Sequence, residues 1–233
     1  MPQPLIIVIP IYPGVTQLDF TGPHQFFCRL PETRLITASI GGQPIDSEGL
    51  VFSGLADLAA VERCDILCVP GGFGSTKMMA DPVFMDKIRR LAGSARYITS
   101  VCTGSLILGA AGLLVGKRAA CHWGWRELLA QFGAIPDAGR VVRDGNIITG
   151  GGVTAGIDFA LAVINEVYGQ AIAESIQLRL EYAPAPPFNA GRPETAPASV
   201  LGPVAADIAA AVAGRQSLVD EAARAMHAAR AGE

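Results

Sequence analysis

The chain has 233 residues, of which 50% are apolar and 17% charged, with 18 basic against 21 acidic side chains and a net charge of −3. That length suits one domain of ordinary size, and the apolar content excludes a disordered chain. The acidic balance lacks the cationic surplus that a phosphate backbone demands, which argues against nucleic acid as a partner.

The first residues, Met1-Pro2-Gln3-Pro4, place no basic side chain ahead of an apolar run that Pro10 interrupts, so no export signal is expected. Leu5-Ile6-Ile7-Val8-Ile9 is continuous, apolar and rich in β-branched residues, the pattern of a strand covered on both faces. After it and its turn comes Leu18-Asp19-Phe20-Thr21-Gly22-Pro23-His24. Asp19, flanked by Leu18 and Phe20, is either a helix N-cap or a carboxyl that desolvation leaves able to carry a proton near neutral pH. His24, one helical turn further on, is either structural or a second proton carrier, and Cys28 after Phe26-Phe27 is expected to be packing.

Runs at residues 35–40, 65–69 and 96–101, with a helical pattern at 82–91 between the last two, give the βαβα alternation of a parallel sheet. Cys64 and Cys68 have no nearby Cys or His to complete a zinc set and read as core. The strand at 65–69 ends in Pro70-Gly71-Gly72-Phe73-Gly74, a glycine-rich turn at the sheet edge where open α/β folds bind ligands. Five cysteines, an odd number, make a disulfide framework improbable and point to a reducing, cytoplasmic setting.

Residues 97–116 carry no charge over 20 positions, long enough for a bilayer span. The stretch holds Thr99, Ser100, Thr103, Ser105 and four glycines, so a buried strand followed by a buried helix is expected, and no membrane contact. Only Cys102-Thr103-Gly104 separates the two, which forces a sharp strand-to-helix corner between the small residues Ser100 and Gly104. Such a corner exposes its central side chain, and the helix dipole would favour thiolate and lower the pKa of Cys102. Backbone N–H groups of Gly71 and Gly72, with those after Cys102, are expected to stabilise developing negative charge. In Cys121-His122-Trp123, His122 would complete a Cys–His pair, Cys121 being packing.

Asp144-Gly145 between apolar runs signals a hairpin within residues 140–150, and Gly150-Gly151-Gly152 leads into a helix at 155–168. A second helix is expected at about 172–182, an extended proline-rich arm at 183–203, and a single Ala-rich helix at 205–231. The organisation is therefore one catalytic domain, residues 1–182, with an arm and helix at 183–233.

With these residues assembled, the chain resembles the ThiJ/PfpI superfamily, relatives of the class I glutamine amidotransferase domain, over residues 5 to about 170. The resemblance rests on Pro70-Gly71-Gly72, on Ser100-Val101-Cys102-Thr103-Gly104 and on Gly150-Gly151-Gly152. The segments Leu18-Asp19-Phe20-Thr21-Gly22-Pro23, Cys121-His122-Trp123 and the arm from Leu180-Glu181-Tyr182 to Asn189-Ala190-Gly191 resemble its isonitrile hydratase branch. This implies a flavodoxin-like three-layer α/β/α sandwich with a mostly parallel sheet and a cysteine nucleophile elbow. It also implies a homodimer that converts an isonitrile plus water to an N-substituted formamide, with no metal or organic cofactor. By motif, Cys102 would be the nucleophile, Asp19 the general acid/base and Thr103 a contributor beside it. The peptidase branch has His directly after the cysteine, where Thr103 stands here. Regulators built on this domain add a basic helix-turn-helix module, whereas only an Ala-rich helix follows the arm. A cysteine-based stress or redox sensor, or a glyoxalase-like enzyme, is the alternative within the same superfamily.

Overall fold

The computed structural model describes residues 4–232. The first three residues, on which the expectation of no export signal partly rests, and Glu233, the end of the expected C-terminal segment, lie outside the described residues.

The elements in chain order are β1 (Leu5–Pro10), α1 (Gln17–Phe27), β2 (Thr33–Ser39), β3 (Ile45–Ser47), β4 (Leu50–Phe52), β5 (Ala56–Asp57), β6 (Ile66–Val69), α2 (Ser75–Met78), α3 (Pro82–Ser94), β7 (Tyr97–Val101) and α4 (Gly104–Ala110). There follow β8 (Arg118–Ala119), β9 (Ile135–Pro136), β10 (Val141–Asp144), β11 (Ile147–Gly150), α5 (Ala155–Tyr168), α6 (Gln170–Arg179), α7 (Ala198–Ala213) and α8 (Gln216–Ala231). Seven strands form one sheet in the order β10-β11-β7-β6-β1-β2-β5, parallel throughout except for the β10–β11 hairpin. Helices α1, α5 and α6 pack together, and α2, α4 and α8 pack together, so the sheet is flanked by helices as in a flavodoxin-like sandwich.

Local chemistry explains the elements that carry the site. Strands β6 and β7 are buried at every position, which is why β6 reads as an unbroken apolar run and β7 carries no charge, its Thr99 and Ser100 hydroxyls being hydrogen-bonded inside the fold. Helix α3 starts where Asp81 accepts the Phe84 N–H at 3.0 Å and Pro82 presets the first turn. Helix α1 lies close against α5, because a side chain at Gly156 would come 3.2 Å from Cδ of Pro23. That close packing fixes the rotation of α1, and with it the direction in which Asp19 points.

The uncharged stretch at 97–116 is β7 and α4, both wholly buried, and a turn that brings the chain back to the surface at Val115. Among the described residues no single helix is long and apolar enough to cross a membrane. The C-terminal region departs from expectation. The irregular arm ends at Pro197, and the single helix expected at 205–231 is two, α7 and α8, bent by 53° around Gly214 and Arg215. Pro203 lies inside α7, where an Ala-rich surround supplies enough helix propensity to tolerate its missing N–H. Helix α8 buries Val219, Ala222, Ala223 and Met226 in the main core, whereas α7 buries no residue fully.

Candidate active site

The parallel strands β1, β6, β7 and β11 all deliver their carboxyl ends to one edge, and the residues singled out from sequence meet there. Val101 ends β7, and Cys102 follows with φ +58°, a left-handed backbone that a non-glycine residue holds only at a cost of about 1–3 kcal/mol. Its N–H donates to the carbonyls of Gly150 (3.1 Å) and Gly151 (2.8 Å), so the end of β11 pins the corner. The small neighbours are obligatory: a side chain at Gly104 would collide with the carbonyl oxygen of Val69. Ser100 and Ser105 lock the base of the corner through a 2.8 Å hydroxyl–hydroxyl bond, and Ser105 also donates to the Ala120 carbonyl at 2.6 Å.

Asp19 is fully buried, in the first turn of α1. It does not cap that helix, whose N-cap is Thr16. Instead its Oδ2 accepts the Gly71 N–H at 3.0 Å, while Oδ1 is the one buried side-chain oxygen or nitrogen without a hydrogen-bond partner among the described residues. Burial raises the Asp19 pKa from 3.8 to about 7, against the opposing pull of the Gly71 N–H and of the Cys102 thiol, with the Glu48 charge adding to the rise.

Cys102 departs from its expected electrostatics. Its pKa lies well above the ordinary thiol value rather than below it, because burial and the adjacent Asp19 charge outweigh the Thr103 N–H, which favours thiolate. A helix dipole helps a thiolate that water also reaches, but here the thiol is only 5% exposed. Asp19 and Cys102 therefore titrate as a coupled pair that retains protons to unusually high pH.

Gly71 and Gly72 are present at the site but do not play the expected part. The Gly71 N–H is taken by Asp19, and the Gly72 N–H donates to Thr103 Oγ1 at 2.9 Å. Neither is free to stabilise an oxyanion. A side chain at Gly71 would lie 2.5 Å from the Thr103 nitrogen and 2.8 Å from Asp19 Oδ2, so glycine is what lets the three segments meet. The Thr103 hydroxyl donates to the Gly72 carbonyl (3.1 Å) and accepts from Ser75 Oγ (3.1 Å), which saturates it with protein partners. It ties the turn after β6 to the corner after β7.

Cys102, Thr103 and Gly72 open onto a cavity of about 340 Å³, walled mainly by Phe73, Trp125, Val153 and Ile208. His122 lines it too. Its Nδ1 accepts the Gly124 N–H at 3.2 Å, and burial lowers its pKa, so the ring is neutral with its other nitrogen protonated. His24 is not brought to the site; it lines a separate groove with Phe20 and Phe52. Cys64, Cys68 and Cys121 are buried as expected, Cys121 close enough to Cys102 to influence its charge, whereas Cys28 is exposed at the end of α1 rather than packed.

Sequence reasoning missed several neighbours. Tyr12 donates to the Pro70 carbonyl at 2.7 Å and anchors the turn that holds Asp19. Glu48 reaches the cavity from the tight β3–β4 turn, signalled only by the following Gly49. The α7 wall carried no signal, since that segment read as the end of a proline-rich arm and the start of an Ala-rich helix.

Comparison with known proteins agrees with this geometry. The DJ-1/PfpI family model matches residues 6–166. The chain is 50% identical over 192 residues to an isonitrile hydratase of Pseudomonas putida, covering 82% of this chain and 84% of that protein. A crystal structure of a ThiJ/PfpI family protein from Pseudomonas syringae superposes with a TM-score of 0.88 at 42% identity, covering 94% of this chain and 90% of that one. Drosophila melanogaster DJ-1beta, at 22% identity and a TM-score of 0.69 over 78% of this chain and 100% of its own, shares the fold.

Proposed function

Since the chain belongs to the DJ-1/PfpI family, we propose that it is an isonitrile hydratase, a lyase that adds water to an isonitrile to give an N-substituted formamide. The observation that carries this reading is the unpartnered Oδ1 of a buried Asp19 whose pKa is about 7, beside the thiol of a strained corner at the head of an apolar cavity. The 50% identity to an enzyme of that activity supports it.

The chemistry follows from the pair. Asp19 and Cys102 together hold one proton and one negative charge near neutral pH. Sulfur attacks the terminal isonitrile carbon, forming the S–C bond, and the proton passes through Asp19 to the same carbon, giving a thioimidate. Asp19, now a carboxylate, draws a proton from water as its oxygen adds to that carbon, and the proton goes on to the substrate nitrogen. Collapse of the tetrahedral species breaks the S–C bond and releases the formamide, with the proton of the new hydroxyl returning to the pair. Every atom of the product comes from substrate and water, and these two side chains carry the protons between them. Thr103 acts by positioning, since its hydroxyl is saturated by Gly72 and Ser75.

The natural setting we propose is the cytoplasm, in keeping with the odd count of five cysteines, and the assembly a homodimer, as the family resemblance implies. A peroxide sensor is the weaker reading, because the relative that matches most of this chain at 50% identity is an isonitrile hydratase. Mixing the protein with an alkyl isonitrile is expected to add the whole isonitrile mass to Cys102, seen by intact-mass spectrometry, and to release formamide. Full turnover by Cys102→Ala, or a stable sulfinic acid on mild peroxide with no formamide formed, would overturn the assignment.

A further inference from the structure

Helix α7 contradicts the usual logic of a helix on a protein surface. Its sequence, ASVLGPVAADIAAAVA, holds a single charged residue, Asp207, yet no residue of it is fully buried. An apolar helix that contributes nothing to the deep core is retained for something else on its inner face. That face presents Asp207, Ile208 and Ala211, spaced i, i+1 and i+4, to the cavity that holds Cys102.

The seat of the helix is specific. A side chain at Gly124 would collide with Cγ2 of Ile208, so Ile208 sits in a notch that only glycine leaves open. At its far end α7 is fixed by Arg215, whose guanidinium lies 4.7 Å from the centroid of the Phe73 ring, itself edge-on to Trp125 at 6.4 Å. Phe73 and Trp125 are cavity walls as well. Beyond the bend, α8 is rooted by Val219, Ala222, Ala223 and Met226 in the core, and a His227 ring nitrogen lies 2.9 Å from the Gln131 carbonyl oxygen. The helix is thus held at one end by α8 and applied along its side to the substrate cavity.

Resting on the hydratase reading, we propose that Ile208 and Ala211 of α7 determine which isonitrile side chain the enzyme accepts, with the isonitrile carbon at Cys102 and its substituent against α7, Phe73 and Trp125. The substrate class that fits is a compact, uncharged alkyl or aryl isonitrile. The cavity, about 340 Å³, is at the small end of ligand pockets, and its rim carries the carboxylates of Glu48 and Asp207, which disfavour an anionic substituent. One methylene more or less in an apolar pocket changes discrimination about 10- to 200-fold.

The test is the ratio of kcat/KM for cyclohexyl isonitrile over methyl isonitrile. Ala211→Phe is expected to lower that ratio at least about tenfold, and Ile208→Ala to raise it severalfold. Ratios within twofold of the parent in both variants, with folding confirmed by thermal melts, would overturn the proposal. A second measurement stands apart from the hydratase reading: the relative rates at which iodoacetamide and N-benzyl iodoacetamide alkylate Cys102, followed by intact mass. If no isonitrile is turned over but the alkylation ratio shifts in the same directions, the α7 assignment stands and the reaction assignment falls; unchanged ratios with both probe sets sink α7 as the selecting wall.

Discussion

Asp19→Asn is expected to abolish hydration while making the protein more stable. An aspartate that ionises near pH 3.8 when unfolded and near 7 when folded keeps a proton in the native state that the unfolded chain has released. Stability therefore falls as pH rises from about 4 to 7, the reverse of the behaviour of a salt-bridged aspartate. At about 1.4 kcal/mol per pKa unit, this burial costs the folded state up to about 4 kcal/mol above pH 7. Asparagine removes the charge and its carbonyl can still accept the Gly71 N–H, but its amide is buried where Oδ1 finds no hydrogen-bond partner, so a gain of about 2 kcal/mol at pH 8 is expected. For a chain of this length that raises Tm by about 4–8 °C. Denaturant titrations of parent and variant at pH 8 and pH 5 measure it, with the gain shrinking by roughly 2 kcal/mol or more at the lower pH, where ionising the buried group is no longer required. A gain of equal size at both values, or a variant less stable at pH 8, would refute the claim that Asp19 is held at this site against its own solvation.

The same pair sets the pH dependence: kcat/KM is expected to rise with pH through about 7, as Asp19 and Cys102 together lose their second proton and acquire a nucleophile, and to stay level beyond it because the Cys102 thiol is raised further; a profile flat from pH 5 to 8 would exclude the pair. Thr103→Val removes three hydrogen bonds among buried groups, so it is expected to cost about 1–3 kcal/mol in denaturant melts and at least tenfold in kcat/KM, with Thr103→Ser restoring most of both. Gly71→Ala pushes a methyl group against the Thr103 nitrogen and Asp19 Oδ2, and a displacement of this kind is expected to lower kcat/KM about a hundredfold, measured beside iodoacetamide labelling to show that Cys102 is still present and reachable.

How much of this could be read from residues alone depended on whether a feature is local. Strands β1, β6 and β7 were legible because parallel strands covered on both faces are uncharged and rich in apolar, β-branched residues. The β10–β11 hairpin was legible through Asp144-Gly145, and the corner at Cys102 through the absence of any loop between strand and helix. Strands β3, β4, β8 and β9 were not. They span two or three residues each, too short to show alternation, and their pairing is decided by what packs over them. The break between α7 and α8 was missed because Ala-rich sequence continues across Gly214-Arg215, and only the seating of Arg215 on Phe73 fixes the turn there. Tyr12 and Glu48 enter the site through contacts 58 residues distant in one case and through a hairpin tip in the other, so no spacing announced them.

Of the chemical expectations that reversed, the one for the glycine N–H groups bears most on reaction class. Glycine N–H groups beside a nucleophilic cysteine suggest an oxyanion hole, the device acyl transfer requires because negative charge builds on a carbonyl oxygen. At this site the Gly71 N–H holds Asp19, the Gly72 N–H holds Thr103, and the Thr103 N–H faces the Cys102 sulfur. An ester or amide would find these donors already engaged. When sulfur adds to an isonitrile, electron density gathers on the terminal carbon instead and is discharged by a proton, so what the site must offer is an acid aimed at that carbon. On the proposed reading Oδ1 of Asp19, the one buried side-chain oxygen or nitrogen without a hydrogen-bond partner among the described residues, supplies that proton, while the Gly71 and Gly72 N–H groups hold its carboxyl and the neighbouring turn in place. In that reading the glycine-rich turns serve proton delivery to carbon, and the Thr103 hydroxyl after Cys102 knits two of those turns together.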